Sequence, residues 1–251
     1  MTGWLEAGLW GLLGGAALVL GAAVAWLVTV PRVVVAGVMA FGAGVLVSAL
    51  SFDLVLQAAL AGGLPATVCG FLLGAVAYVG ANVLLARRGA RHRKRSGTQQ
   101  PGEAAQAGSG AAIAVGALLD GVPESVVLGA SLLGGSGVST AVIAAVVISN
   151  LPEGLSSAAG MKAAGRSARY VFGVWGGIAV VSAVAAAVGN LALGGATPET
   201  TALITAVAAG AILTMVADTM IPEAVEGTHL LTGLITAVGF LTAFTISRAG
   251  A

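Results

Sequence analysis

Apolar residues dominate this chain in stretches of about twenty, and short polar or Gly/Pro-rich segments separate them. A helix of about twenty apolar residues is long enough to cross a bilayer. The pattern therefore predicts an all-α, polytopic membrane protein, with one transmembrane domain over residues 1–251 built as an eight-helix bundle. The predicted spans are 6–28, 34–59, 64–86, 111–133, 138–161, 168–192, 200–221 and 229–247.

Turn signals and polar segments set the boundaries between these spans. Pro31 separates the first two spans, and Gly62-Gly63-Leu64-Pro65 separates the second from the third. The polar stretch 87–110 is predicted to be a cytoplasmic loop. Its second part, 96–110, is rich in Gly, Ala, Gln and Ser, a composition typical of disorder. The remaining breaks are predicted at 134–139, 162–169, 194–198 and 223–228.

Composition supports the membrane prediction and excludes other classes. The chain is 58% hydrophobic and 8% charged, whereas a soluble domain carries about 25% charged residues. A net charge of +1 gives no reason to expect a nucleic-acid partner. The single cysteine, Cys69, excludes an intramolecular disulfide and is expected to be a packing residue. Glu6 and the absence of an N-terminal basic region favour a retained first span over a cleaved signal peptide.

Basic residues predict the orientation. Ten of the 11 lysines and arginines fall in alternate loops on one side, and the eleventh is Arg248 near the C-terminus. The positive-inside rule assigns that side to the cytoplasm and both termini to the outside of the cell membrane. Membrane lipid is therefore an expected partner, and the basic run at 87–95 is interpreted mainly as a topology signal that can touch anionic lipid.

Two motifs interrupt the apolar pattern inside successive spans. Residues 120–125 are Asp-Gly-Val-Pro-Glu-Ser, and residues 149–154 are Ser-Asn-Leu-Pro-Glu-Gly. A carboxylate inside a bilayer costs at least about 2.5–3.5 kcal/mol, and the neighbouring proline removes a helix hydrogen bond. One such motif could be a kink with a protonated glutamate. Two aligned motifs in antiparallel spans favour a polar site between them, and resemble an inverted transporter repeat.

The motifs place a set of oxygen donors near the bilayer midplane. Asp120 and Glu124 are four residues apart and share a helix face, as do Ser149 and Glu153, with Asn150 beside them. The prolines free two backbone carbonyls, which can line a cavity or bind a cation. No lysine or arginine lies near these residues in sequence. A divalent cation is therefore the simplest counter-charge, and no organic cofactor is expected.

Other carboxylates suggest a pathway. Asp53 is predicted near the outer end of span two, and Asp218 near the inner end of span seven, with Glu223 and His229 following. We hypothesise that Asp53 lines the entrance and that the other three line the exit. Simple polarity at helix ends is the alternative interpretation of these residues. Lower uptake after neutralisation of Asp53 or Asp218 would distinguish the two.

With these motifs the chain resembles the ZIP (Zrt/Irt-like) divalent metal transporters over nearly its whole length. Similar family sequences are His-Asn-x-Pro-Glu-Gly in span four and His-Glu-x-Pro-Glu-Gly in span five. Residues 220–224 resemble the end of the family's seventh span, and residues 41–46 resemble its second span. The resemblance implies eight spans, outward termini, a metal site on spans four and five, and a homodimer. It also implies that a bundle containing spans four and five moves against a scaffold containing spans two and seven.

The resemblance carries Glu124 and Glu153 over as metal ligands, and it places Asp120, Ser149 and Asn150 at ligand positions of changed type. Both family histidines are absent, and Gly121 replaces an asparagine. Oxygen-only sites suit manganese better than imidazole sites do, although carboxylates also bind zinc. The expected substrate is therefore a divalent metal (zinc, manganese or iron), with a weaker preference for zinc than in relatives with histidines.

Three functions remain open at the sequence level. The preferred one is secondary transport of divalent metal into the cytoplasm, because the chain contains nothing similar to an ATP-binding loop. The second is a transport-deficient family member that acts as a metal-binding or regulatory membrane protein. The third is an intramembrane enzyme with Asp120, Glu124 and Glu153 as acid and base, which is disfavoured because no nucleophile–base arrangement is evident. We therefore expect a transporter and not an enzyme.

Overall fold

A computed structural model describes residues 3–134 and 140–249 of this chain. The predicted break at 134–139 lies almost wholly outside the described residues. Within them every regular element is helical and none is a strand, which confirms the predicted all-α class. The helices are α1 (Gly3–Leu27), α2 (Arg32–Ala49), α3 (Leu56–Leu85), α4 (Ser109–Ser131), α5 (Thr140–Ala163), α6 (Ala168–Leu193), α7 (Pro198–Met215), α8 (Ile221–Thr228) and α9 (Thr232–Ala249).

Six helical stretches in the described part of the chain are long and apolar enough to cross a membrane. Many large apolar side chains point outward from them, for example Leu27, Leu60 and Val76. Such extensive apolar exposure is unfavourable in water and favourable against lipid acyl chains. The fold is therefore compatible with a multi-pass membrane protein.

Two of the six stretches are much longer than one membrane crossing. Arg32–Ala90 contains 59 residues and Pro198–Ala249 contains 52, or roughly 80–90 Å of helix each at ~1.5 Å per residue. The first is broken at Gly63, whose φ of 80° is not helical and which precedes Pro65. The second is broken at His229, whose φ is 46°. The first break lies within the predicted Gly62–Pro65 boundary.

Each long stretch also contains a π-helical segment that includes an aspartate, and the first stretch ends in a further π-helical segment, Ala86–Ala90. The first is Leu50–Val55, between α2 and α3, and contains Asp53. The second is Val216–Met220, between α7 and α8, and contains Asp218. Single π-helical turns are uncommon and often occur at functional sites.

The helices associate through close backbone contacts at glycine. α3 packs against α7, α2 against α9, and α1 against both α5 and α6. In the α3–α7 pair, a Cβ at Gly74 would overlap the Val207 carbonyl, and one at Gly210 would overlap the Phe71 carbonyl. Membrane helices use small residues in this way because it lets backbones approach. Gly70 and Gly74, four residues apart on α3, are thus part of a helix interface.

The segment after α3 is folded onto one end of the bundle, although the composition of 96–110 predicts disorder. The Gln100 side-chain amide donates to the carbonyls of Arg93, Arg95 and Ser157, the last of which is in α5. Composition describes only the average polarity of a segment. The contacts that order this one come from helices far away in sequence, which is why the prediction of disorder was wrong.

A second anchor holds the far end of this segment. Glu103 accepts hydrogen bonds from Arg166 and from the backbone N–H groups of Gly108 and Gly110. The Arg166 guanidinium and these two N–H groups lower the pKa of Glu103 to about 2. Glu103 is therefore ionised at neutral pH and joins the segment to the start of α4.

Candidate cation site

The two Pro-Glu motifs lie inside α4 and α5, and their polar side chains turn inward. Pro123 and Pro152 are both within continuous helices. The predicted ligands are all buried, with no more than 4% of any of them exposed: Asp120, Glu124, Ser149, Asn150 and Glu153. The sequence pattern therefore placed five polar residues correctly in the interior of the bundle.

Asp120 lies in a network of strong donors. Its two carboxylate oxygens accept hydrogen bonds from Arg93 Nε (2.9 Å) and Arg93 Nη2 (2.8 Å). The Tyr78 hydroxyl of α3 donates to the same carboxylate at 2.6 Å. Arg93 also donates to Asn82 Oδ1 and to the Tyr78 oxygen. A two-point guanidinium–carboxylate pair of this kind is among the strongest and most directional of protein contacts.

Glu153 is paired with the next residue of the same segment. Lys94 Nζ lies 2.8 Å from Glu153 Oε1 and 3.4 Å from Asp120 Oδ2. The contact with Glu153 is an ion pair at short distance and not an aligned hydrogen bond. Lys94 is 95% buried, so its ammonium group lies between carboxylates of α4 and α5 with little contact with solvent.

These two contacts correct the sequence-level argument about counter-charge. No basic residue is near the motifs in sequence, and a divalent cation was the simplest expected partner for that reason. The structure brings Arg93 and Lys94 to the motifs from the preceding loop, 27 residues before Asp120 in the case of Arg93. Distance along the chain was the wrong measure, since a loop can fold back into the bundle.

Glu124 is different from its neighbours. Both of its carboxylate oxygens are buried, and neither has a hydrogen-bond partner within the described part of the chain. Its surroundings include the charges of Glu153, Lys94 and Asp120. A buried carboxylate without a donor is costly and unusual in a folded protein. Glu124 is therefore the carboxylate in this site whose negative charge is least compensated, and a cation or a proton would stabilise it most.

Glu124 helps to line a small cavity whose other lining residues are apolar. Its volume is about 20 Å³, which is room for one water at ~10–15 Å³. Its lining includes Leu50, Val146 and Ile212. A second cavity, of about 550 Å³, is lined by Asp53, Gln57 and Thr201 among others. Three residues line both cavities and separate them: Leu54, Val127 and Val142.

The remaining predicted ligands use part of their hydrogen-bonding capacity within the bundle. The Ser149 hydroxyl donates to the Val146 carbonyl, and the Asn150 amide donates to the Gly14 carbonyl of α1. Across residues 3–134 and 140–249, no three His, Cys, Asp or Glu side chains are grouped so that they could hold a metal ion. A metal at this site would therefore need oxygen donors of other types, or a shift of the helices.

The predicted pathway residues are found in three different settings. Asp53 lines the larger cavity and accepts a hydrogen bond from Ser247 of α9. Asp218 is exposed on the outside of the bundle. Glu223 is buried, and its carboxylate accepts from the Ser96 backbone N–H, the Ser96 hydroxyl and the Ser156 hydroxyl. His229 is exposed. Asp53 and Glu223 thus face interior space, whereas Asp218 and His229 do not.

Sequence reasoning missed the loop and α3 contributions to the site. Arg93, Lys94 and Arg95 were interpreted as a topology signal, and Tyr78 and Asn82 were not singled out. One signal was available, because Tyr78 and Asn82 are polar residues four apart within an apolar span and therefore share a face. Their partner could not be inferred from that spacing.

No family model matches this chain, and no curated protein matches it.

Proposed function

We propose that this protein is a secondary transporter that carries divalent metal cations (zinc, manganese or iron) into the cytoplasm through the site on α4 and α5. The observation that carries the proposal is Glu124, a buried carboxylate without a hydrogen-bond partner in the described residues, which helps to line a small cavity. A transported cation supplies the missing charge only while it is bound, which suits a site that must also release it.

Eight membrane crossings are part of the proposal. The breaks at Gly63 and His229 support it, because each divides a stretch that is too long for one crossing into two of membrane length. With eight crossings, the basic segment after α3 faces the cytoplasm and both termini lie outside. Residues 87–95 contain six basic residues, and such a cluster favours the cytoplasmic side.

The two cavities support a route from the outside to the site. In this orientation the larger cavity, which Asp53 lines, opens toward the outer face, and its carboxylate attracts cations there. The narrow apolar segment at Leu54, Val127 and Val142 separates that cavity from Glu124. Movement of α4 and α5 relative to α2 and α7 would open this constriction. The proposal also includes inverted repeats and a homodimer.

The substitution of one residue tests the role of Glu124. Glu124→Gln keeps the shape and removes the charge, and we expect uptake into proteoliposomes to fall at least about tenfold, since a charge-assisted contact is worth ~1.5–3 kcal/mol. The fold should persist, because the substitution removes an uncompensated buried charge. Glu199→Gln is the matched control, because Glu199 is exposed in the first turn of α7. Equal uptake by all three proteins would contradict the assignment.

The donor set also predicts selectivity. The five predicted ligand residues offer only oxygen and amide donors, and oxygen ligands favour manganese more than imidazole ligands do. We expect unlabelled manganese or iron to compete with the transported metal at concentrations close to those at which zinc competes. Competition in which zinc is preferred by several orders of magnitude would contradict this prediction.

A second candidate function is a metal-binding or regulatory membrane protein that has lost transport. The observation that favours it is the charge balance, because Arg93 and Lys94 already neutralise two of the three site carboxylates. Saturable metal binding in detergent without uptake into proteoliposomes would support this candidate. Uptake that depends on Glu124 would exclude it.

A further inference from the structure

Three consecutive basic residues after α3 each pair with a different part of the site. Arg93 pairs with Asp120 of α4, and Lys94 pairs with Glu153 of α5. Arg95 Nη1 lies 2.7 Å from Glu226 and 3.6 Å from Glu223 of α8. One short segment thus forms ion pairs with every buried carboxylate of the described bundle except Glu124, from the side opposite the larger cavity.

Lys94 is the least well held of the three. Arg93 makes aligned hydrogen bonds from its Nε and both terminal nitrogens, and Arg95 donates to the Pro222 carbonyl. The Lys94 ammonium makes no well-aligned hydrogen bond among the described residues, and its contacts are the ion pairs with Glu153 and Asp120. An ammonium ion is strongly hydrated, and its burial is costly when its hydrogen bonds are incomplete. Lys94 is therefore the member of the segment that a competing cation can displace most readily.

The bundle has space for this segment at two glycines. A Cβ at Gly116 of α4 would lie 2.6 Å from Arg93 Cδ, so only glycine leaves room for the arginine side chain. A Cβ at Gly160 of α5 would overlap the Arg95 carbonyl and the Gln100 amide. The Ser156 hydroxyl of α5 donates to the Lys94 carbonyl between these two points. The segment therefore packs into a complementary groove between α4 and α5 and does not merely lie across the end of the bundle.

We propose that Lys94 is an internal cation that competes with the transported metal. Residues 91–100 then cannot stay docked while a metal is bound at Glu124 and Glu153. The inference rests on the proposed function. A divalent ion at these carboxylates would repel an ammonium group that now lies 2.8 Å from one of them. The docked segment closes the cytoplasmic side of an empty site, and its release opens that side when a metal arrives.

Proteolysis tests the proposal directly, because the chain has only two lysines, Lys94 and Lys162. Lys94 is buried and Lys162 is exposed at the end of α5. An endoprotease that cuts after lysine therefore reports on release of the segment at one site and on general accessibility at the other. We expect saturating manganese to raise the cleavage rate after Lys94 at least about tenfold, with the rate after Lys162 unchanged, because cleavage follows the open population.

Two variants test the competition through metal affinity, which is measured by equilibrium dialysis of manganese in detergent. Lys94→Gln removes the competing charge, and Gly160→Ala blocks docking while every proposed ligand stays in place. We expect each variant to bind manganese at least about tenfold more tightly than the wild type. The repulsion between the Lys94 ammonium and a metal ion bound at the same carboxylates is worth more than ~1.4 kcal/mol, which corresponds to that factor. Lys162→Gln and Gly173→Ala are the controls, and a Cβ at Gly173 meets no atom within 4 Å.

The outcomes separate the two proposals. Manganese binding with unchanged cleavage after Lys94, or with equal affinities in all the variants, would overturn the competition and leave the transport proposal standing. Absence of manganese, iron and zinc binding in the wild type and in both variants would contradict the proposed function itself. Tighter binding by Gly160→Ala together with metal-dependent cleavage in the wild type would support the competition.

Discussion

Asp120 and Glu124 lie one helical turn apart on α4, and both are buried, yet their surroundings are opposite. Asp120 receives hydrogen bonds from Arg93 and Tyr78. Glu124 receives none from the described residues. The sequence predicts a shared inward face for the pair but not this difference, because the donors come from α3 and from the loop. At the residue scale, Asp120 joins the loop to α4, whereas Glu124 has no hydrogen-bond donor among the described residues.

Removal of the Asp120 charge should destabilise the fold. Asp120→Asn leaves the Arg93 guanidinium buried without its carboxylate, and we expect a loss of about 3–5 kcal/mol in unfolding free energy. Tyr78→Phe removes two hydrogen bonds to charged groups, one donated to Asp120 and one accepted from Arg93, and should cost at least about 1.5–3 kcal/mol. Denaturant unfolding of the protein in detergent, followed by circular dichroism, measures both.

The same experiment has an internal control. Asp218→Asn changes an exposed carboxylate and should stay within about 0.5 kcal/mol of the wild type. The double variant Asp120→Asn with Arg93→Gln should recover much of the loss, because no unpaired charge remains. If Asp120→Asn unfolded like the wild type, the Arg93–Asp120 pair would not hold the loop.

At the scale of the elements, glycine contacts decide how closely the helices approach. Gly74→Ala would place a methyl group on the Val207 carbonyl of α7, and no nearby side chain can move to relieve that overlap. We expect a loss of about 1–3 kcal/mol, typical of overpacking. Thermal unfolding in detergent measures it.

Gly80→Ala is the control on the same helix, since a Cβ at Gly80 meets no atom within 4 Å. It should leave the unfolding temperature unchanged or raise it slightly, because alanine has the higher helix propensity. Equal effects of the two substitutions would show that helix propensity, and not the α3–α7 contact, determines the result.

Helix positions were more predictable than loop structure. The predicted spans 111–133 and 168–192 agree within two residues at each end with Ser109–Ser131 and Ala168–Leu193, because apolar length alone determines such helices. The π-helical segments and the folded segment 91–108 were not predicted. The folded segment depends on contacts with residues far away in the chain, which local hydropathy and composition do not contain.

At the scale of the whole molecule, the surroundings of the site differ along the described bundle. The larger cavity, which Asp53 lines, adjoins the small cavity that Glu124 helps to line, and Lys94 of the segment after α3 lies among the site carboxylates. The sequence predicts the midplane carboxylates and leaves this arrangement undetermined. Eight crossings remain a prediction that the breaks at Gly63 and His229 support, and inverted repeats remain a prediction.

The central claim is that divalent metal crosses the membrane through this protein, and uptake into proteoliposomes that contain the wild-type chain tests it most directly. The account predicts time-dependent, saturable accumulation of manganese, iron or zinc above that of protein-free liposomes, driven by the gradient of the ion alone or by a coupled ion. Accumulation equal to that of protein-free liposomes for all three metals, with the reconstituted protein still helical by circular dichroism, would contradict it.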